Sequence, residues 1–265
     1  MLIRPIDRDA LRERVRQAVP FPFFSIDNFL EAAFAEQILN AFPSFEEAAQ
    51  VGRTFSAVNE KKKIQVTDAT TFARPIAELN RALAEPEFCE MLGTVFDIPQ
   101  LLPDEQLVGG GIHQTGTRGH LDVHVDFNYI EQRQLHRRLN ILIYFNKRWK
   151  PEWGGNIELW DKDVKVCHHS FSPIFNRCVV FATSEISYHG VTAVRCPDDQ
   201  TRKSFAAYYY TREAPPRWDG TVHSTNFKAR PDEVLKGNIL MPLERAGQRL
   251  RGAVAGIKKR IKGEF

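Results

Sequence analysis

The sequence predicts an α+β chain with a mainly β core: a double-sheet jelly roll (double-stranded β-helix) with N-terminal helices packed on one sheet and a C-terminal helix. Three observations predict it. Apolar residues at helical spacing dominate the first hundred positions, short β-branched and aromatic runs broken by Gly, Pro and Asn extend from Leu107 to Thr211, and a basic amphipathic pattern closes the chain. Seven or eight such strands suit a jelly roll, whose open mouth can hold a metal and a small ligand.

In chain order, Asp7 to Val19 carries Leu11, Val15 and Ala18 on one helical face and ends at Pro20. PFPFFSIDNFL reads as a strand with a turn at Asp27-Asn28, followed by a helix from Glu31 to Ala41. Pro43 to Gln65 reads as polar and irregular, with Lys61-Lys62-Lys63 as a solvated face, and Ile76 to Phe96 as helical. Predicted strands are Gln106 to Gln114, His120 to Asp126, Arg138 to Phe145, Asn156 to Trp160, Cys178 to Thr183, Tyr188 to Val194 and Ser204 to Thr211. The expected division is a mostly helical region over 1–104, a jelly-roll core over 105–213 and loops with a basic amphipathic helix over 214–265. In that last helix Leu243, Ala246, Leu250, Ala253, Val254, Ile257 and Ile261 share one face. It is expected to dock on the core, the alternative being peripheral contact with an acidic partner or a membrane surface.

Composition excludes several classes. At 265 residues, 43% hydrophobic and 26% charged, the chain is an ordinary globular one, and its net charge of +3 does not call for nucleic acid. Cys89, Cys167, Cys178 and Cys196 show neither CxxC pairing nor zinc-type spacing, which fits reduced thiols. The N-terminus has no apolar h-region and no run approaches a spanning helix, so a cytoplasmic location is expected. Oligomeric state is not legible.

Chemistry concentrates in GGGIHQTGTRGHLDVHVDFN, Gly109 to Asn128. On a strand, side chains two apart share a face, so His124 and Asp126 aim an imidazole and a carboxylate at a common point while Val125 turns away. One more imidazole would complete the 2-His-1-carboxylate facial triad of non-haem Fe(II) sites, and His189 is the candidate. Each residue alone is more readily explained as a bonded strand pair or a core histidine.

Context adds to the pattern. RRLNILIYFNKRWKPEWGGNIELWD (Arg137 to Asp161) is followed by NRCVVFAT, by SYHGVTAV with His189, and by TRKSFAAYYYT with Arg202. In this order the stretch Leu107 to Thr211 resembles the Fe(II)- and 2-oxoglutarate-dependent dioxygenases of the prolyl 4-hydroxylase type. The resemblance implies that His124, Asp126 and His189 hold Fe(II), that Arg202 grips the distal carboxylate of 2-oxoglutarate, and that Tyr144 supports the same carboxylate. It places Gln114 where some relatives have a tyrosine reaching the co-substrate, and Asn140 where many carry a threonine on the pocket floor. Arg202 follows His189 by a longer interval than in many relatives, an excess assigned to the polar turn Cys196 to Gln200. Lys203 would face the other side of the strand, and Arg195 lies too near the preceding one.

The implied activity is hydroxylation of an unactivated C–H bond with Fe(II), 2-oxoglutarate and O₂, releasing succinate and CO₂, with L-ascorbate admitted as a reductant. The substrate stays open among a peptidyl or free amino acid, another metabolite and a glycan precursor. Arg118, Asn128, Arg137, Trp153 and Trp160 are placed around the mouth, whereas His113, His120, His136, His168, His169 and His223 are read as structural or exposed. The alternative function is a catalytically silent jelly-roll binding module with a structural metal.

Overall fold

The computed structural model describes residues 2–216, 218–233 and 235–241. Helix α1 (Arg8–Arg16) starts at Asp7, whose side chain accepts from the Ala10 amide, and buries Leu11 and Val15. Strand β1 (Phe23–Ile26) is followed by a turn in which Asn28 has φ 55°, and then by α2 (Ala32–Asn40). Next come α3 (Phe45–Val51), the hairpin of β2 (Arg53–Ser56) and β3 (Glu60–Val66), and helices α4 (Arg74–Ala84) and α5 (Pro86–Phe96). The core strands are β4 (Leu102–Pro103), β5 (Gly111–Val125), β6 (Tyr129–Ile130), β7 (Leu135–Tyr144), β8 (Ile157–Trp160), β9 (Cys167–Phe171), β10 (Cys178–Ala182), β11 (His189–Val191) and β12 (Arg202–Thr211). A two-residue strand, β13 (Asn226–Phe227), pairs with the end of β5.

These strands curl into a jelly roll in the order β1-β10-β7-β12-β5-β11-β8-β9, with β3 also pairing on β5. Strand β5 turns the corner of the roll. Its first part, residues 111–115, pairs with β12, and its last part pairs with β11 through Leu121 and His124. Between them the chain bends at residues 116–119, where Arg118 takes φ 64°. Gly119 permits that bend, because a Cβ there would lie 2.4 Å from the Thr115 methyl and 2.8 Å from the Lys61 carbonyl oxygen.

Side-chain alternation separates core from cavity. Leu139, Ile141 and Ile143 of β7 and Phe205, Ala207 and Tyr209 of β12 join the helices in the main hydrophobic core, while Asn140, Leu142, Ser204 and Tyr208 face the interior of the roll. The three consecutive tyrosines divide accordingly: the Tyr209 hydroxyl donates to the Leu83 carbonyl in the helical layer, and that of Tyr208 donates to Gly109.

The structure corrects three sequence expectations. Residues 43–65 are not irregular: Ser44 and Glu47 form a capping box that starts α3, and β2 and β3 follow, with only the end of β3 buried. The expected helix from Ile76 to Phe96 is two helices, since Pro86 cannot continue α4 and instead opens α5. The separate strands expected around Gln114 and His120 are one bent strand, and the polar CHHSF of β9 is an edge strand without an apolar signature. The predicted C-terminal amphipathic helix lies outside the described residues. No helix among the described residues is long and apolar enough to cross a membrane.

Asn176 joins the N-terminal layer to the roll. It is buried, its side chain accepts from the Leu30 amide at 2.9 Å and donates to the Leu30 carbonyl at 2.8 Å, and its own amide donates to the Tyr144 carbonyl at 2.8 Å. Asn176→Ala leaves two buried backbone groups unpaired and is expected to lower unfolding stability by about 2–4 kcal/mol in urea titration. An unchanged midpoint would show that the layers are held elsewhere.

Candidate metal centre

His124 and His189 face each other as directly paired residues on the antiparallel strands β5 and β11, which brings their ring centroids to 4.3 Å. Asp126 follows just past the end of β5. Its Oδ1 is 3.5 Å from His124 Nε2 and its Oδ2 is 3.4 Å from His189 Nε2. One ligand atom from each of the three residues lies within 4.8 Å of the others.

Local hydrogen bonds orient the imidazoles. His124 Nδ1 meets the Asp122 carbonyl at 2.8 Å and His189 Nδ1 meets the Ser187 carbonyl at 2.9 Å. A carbonyl only accepts, so the proton is assigned to Nδ1 on both rings, and both Nε2 lone pairs point toward Asp126. Burial pushes the His189 imidazole down to about 4, assisted by His124 and opposed by Asp126, so the ring is a neutral donor at ordinary pH. Burial alone would raise the Asp126 carboxyl, but the Arg137 guanidinium beside it holds it well below the usual carboxylate range. Its Oδ2 receives a hydrogen bond from Asn140 Nδ2 at 2.7 Å and lies 3.2 Å from Arg137 Nη2. Arg137 Nε donates in turn to Asn140 Oδ1 at 2.9 Å, and its guanidinium stacks 3.6 Å from the Tyr208 ring centroid.

The triad and Arg202 line one cavity of about 290 Å³. Arg202 sits at the start of β12, 4% exposed, and its Nε donates to the Gly155 carbonyl at 2.6 Å. Gly155 has φ 71°, and a Cβ there would lie 3.0 Å from Arg202 Cδ, so the Gly154-Gly155 turn shapes the seat of the guanidinium. Among the described residues no carboxylate pairs with Arg202. The Tyr144 ring lies 4.9 Å beneath its guanidinium, and the buried Tyr144 hydroxyl makes no hydrogen bond of good geometry. Burial raises that phenol to about 12, which keeps it protonated and able to donate.

Of the two further residues that the resemblance placed toward the co-substrate, one lines the cavity and one does not. Gln114 does not reach the cavity: its Nε2 donates to the carbonyls of Pro43 and Ser44 at 2.7 and 3.3 Å, and its Oε1 accepts from Thr201. The bend at residues 116–119 reverses the strand's phase, so His113 and Thr115 line the cavity in its place. Asn140 is on the cavity wall, but both ends of its amide are engaged by Asp126 and Arg137.

Of the residues placed around the mouth, Arg137 lines this cavity. Trp160 packs with Val123 and Tyr188, Trp153 packs edge-on against Trp149, and Asn128 bonds to the 221–223 segment. His113 and His120, read as structural or exposed, are on the cavity wall, as is Lys63, whose ammonium pairs with Glu60 at 2.7 Å. The β2–β3 hairpin brings Lys63 inward, and a run of three lysines gives no sign of it.

Comparison with known proteins relates this bent roll and its His-Asp-His cluster to characterised folds. Residues 110–210 match the family model of the 2OG-Fe(II) oxygenase superfamily. Among solved structures, the chain is similar to a prolyl hydroxylase from Trichoplax adhaerens in complex with a hypoxia inducible factor peptide fragment (16% identity, TM-score 0.53, covering 77% of this chain and 88% of that one). It is also similar to a Pseudomonas putida prolyl-4-hydroxylase (14%, TM-score 0.52, covering 76% and 98%) and to prolyl 4-hydroxylases from Phytophthora capsici (17%, TM-score 0.50, covering 79% and 68%). At these identities the structural likeness shows the fold. No curated protein matches the chain in sequence.

The donor set fits ferrous iron: two neutral imidazoles and one carboxylate, with no thiolate. Partners that orient metal ligands commonly tune affinity by about 10–100-fold. Asn140→Ala is therefore expected to weaken Fe(II) binding by about tenfold in anaerobic titration. Unchanged affinity would remove Asn140 from the support of Asp126.

Proposed function

We propose that this protein is an Fe(II)- and 2-oxoglutarate-dependent dioxygenase that hydroxylates an unactivated C–H bond and releases succinate and CO₂. The observation that carries this reading is the shared cavity: a 2-His-1-carboxylate set stands on one wall and, on another, a buried guanidinium with no carboxylate partner among the described residues. His124, Asp126 and His189 would hold the metal, and Arg202 with Tyr144 would hold the distal carboxylate of 2-oxoglutarate. The bound iron and co-substrate would supply activation of O₂ coupled to oxidative decarboxylation.

The chain's own residues bind, orient and neutralise. Arg202 provides a planar fork for a carboxylate in a buried site, where a charge-assisted pair is stronger than in water. Its seat is built before any ligand arrives, because Gly155 fixes Nε and the Tyr144 ring supports the guanidinium face. Tyr144 contributes a protonated hydroxyl beside that fork. Arg137 and Asn140 hold Asp126 ionised and aimed at the imidazoles. Leu142, Ile157, Phe181 and Val191 form an apolar wall that limits water near the triad.

Peptidyl amino acids, free amino acids, other metabolites and glycan precursors are the substrate classes proposed. The Trichoplax neighbour, whose structure contains a peptide fragment, supports a search that begins with proline-containing peptides. A silent binding module has no use for a buried guanidinium opposite a metal set, and the Arg202 arrangement favours the enzyme.

Succinate release across peptides, amino acids and nucleotide sugars, with mass analysis for one added oxygen, tests the proposal. His124→Ala is expected to abolish succinate formation; turnover at the wild-type rate in that variant would contradict the reading. Arg202→Met removes charge-assisted bonds and is expected to raise the KM for 2-oxoglutarate by about 10–100-fold while Fe(II) affinity stays near wild type. An unchanged KM would place the carboxylate elsewhere.

A further inference from the structure

The segment beyond β12 lies outside the stretch that matches the oxygenase family, yet it reaches the metal ligands. Strand β13 pairs Asn226 with Val125 and Phe227 with His124, and the Lys228 amide continues the ladder to the Val123 carbonyl at 2.8 Å. The Phe227 ring lies 5.3 Å from the His124 ring, and Thr225 and Phe227 both line the cavity. Upstream, Asn128 bonds to Thr221 and to the His223 amide, and His223 meets Glu185 at 2.6 Å.

Downstream, the segment neutralises acids that the roll buries. Asp122 on β5 is fully buried, and its Oδ1 meets Lys236 Nζ at 2.5 Å and Arg230 Nη1 at 3.8 Å. Arg230 also pairs with Glu158 at 2.8 Å, and Lys236 with Glu233 at 3.2 Å. A buried carboxylate stripped of its cations is strongly unfavourable, so the roll gains from keeping this segment in place. Asp122 is also the residue whose backbone carbonyl accepts from His124 Nδ1. One residue is thus tied to the segment through its carboxylate and to a metal ligand through its backbone.

We propose that residues 221–233 together with Lys236 form a docked outer wall of the cavity, anchored by Lys236 and Arg230 on Asp122, and that Phe227 on this wall is a specificity-determining residue that selects what reaches the space beside His124. The wall rests on contacts alone; the selecting role rests on the reading of the triad as a metal centre. With Phe181, Val191, Ile157 and Leu142 on the facing surfaces, Phe227 completes an apolar collar that fits an uncharged aliphatic group. Because this wall lies after the family-matched stretch, substrate choice is separated along the chain from metal and co-substrate binding.

Hydrogen exchange and visible titration of the Co(II)-loaded full chain test both parts. In the wild-type protein the Lys228 amide is expected to exchange at least about tenfold more slowly than its unstructured rate. Lys236→Met is expected to remove most of that protection. If this variant does not fold, the double variant Asp122→Asn/Lys236→Met removes both charges and is expected to show the same loss. An unprotected Lys228 in wild type, or wild-type protection in the folded variant, overturns the wall.

Imidazole and 4-phenylimidazole then probe the space beside the metal. Phe227→Ala is expected to shift their affinity ratio toward the bulky ligand by about tenfold, the scale of a changed apolar fit. An unchanged ratio overturns the selecting role. If wild type binds no Co(II), the metal reading fails and the selecting role falls with it, while Lys228 exchange still decides the wall.

Discussion

The pairing of His124 with His189 across β5 and β11 is the constraint on which the site depends. A direct antiparallel pair sets the separation of two side chains through backbone geometry, without relying on a flexible loop. The bend in β5 makes that pair possible, because it carries one strand from the sheet that meets β12 to the sheet that meets β11. Arg202 pairs with Thr115 before the bend, and His189 pairs with His124 after it. A single strand therefore sets the relation between the cation and the ligand set.

Burying this much polarity requires partners. Asp126 is held by Asn140 and Arg137, Asp122 by Lys236 and Arg230, and Asp104 by Arg133 at 2.6 Å. Arg202 stands apart because it has a carbonyl and an aromatic face but no carboxylate among the described residues. A desolvated guanidinium without a counter-charge is costly, and an anion with a carboxylate would relieve that cost on entering the cavity. On the proposed reading, stability and co-substrate affinity would be coupled at this residue.

Much of this arrangement was legible in the sequence, for identifiable reasons. His124 and Asp126 stand at strand period, and the Trp153-Gly154-Gly155 stretch holds the glycine that seats Arg202. The short helices and the strands around Val180 and Phe205 announced themselves by apolar periodicity. Gln114 was placed by resemblance to relatives that carry a tyrosine there, and in this chain its amide is taken up by Pro43, Ser44 and Thr201 instead. Lys63 was hidden in a lysine run whose neighbours Lys61 and Lys62 are indeed exposed. Phe227 was hidden for a different reason: a two-residue strand in a Pro-containing, polar stretch has no period to detect, and its role arises only from tertiary pairing.

The account turns on one ion bound by three residues with a keto acid held beside it. Anaerobic addition of Fe(II) and then 2-oxoglutarate, followed in the visible region, measures this most directly. A metal-to-ligand charge-transfer band is predicted in the wild-type protein and should be lost in His189→Ala. A flat wild-type spectrum under saturating metal and co-substrate would contradict the oxygenase assignment and leave a jelly roll with a different purpose.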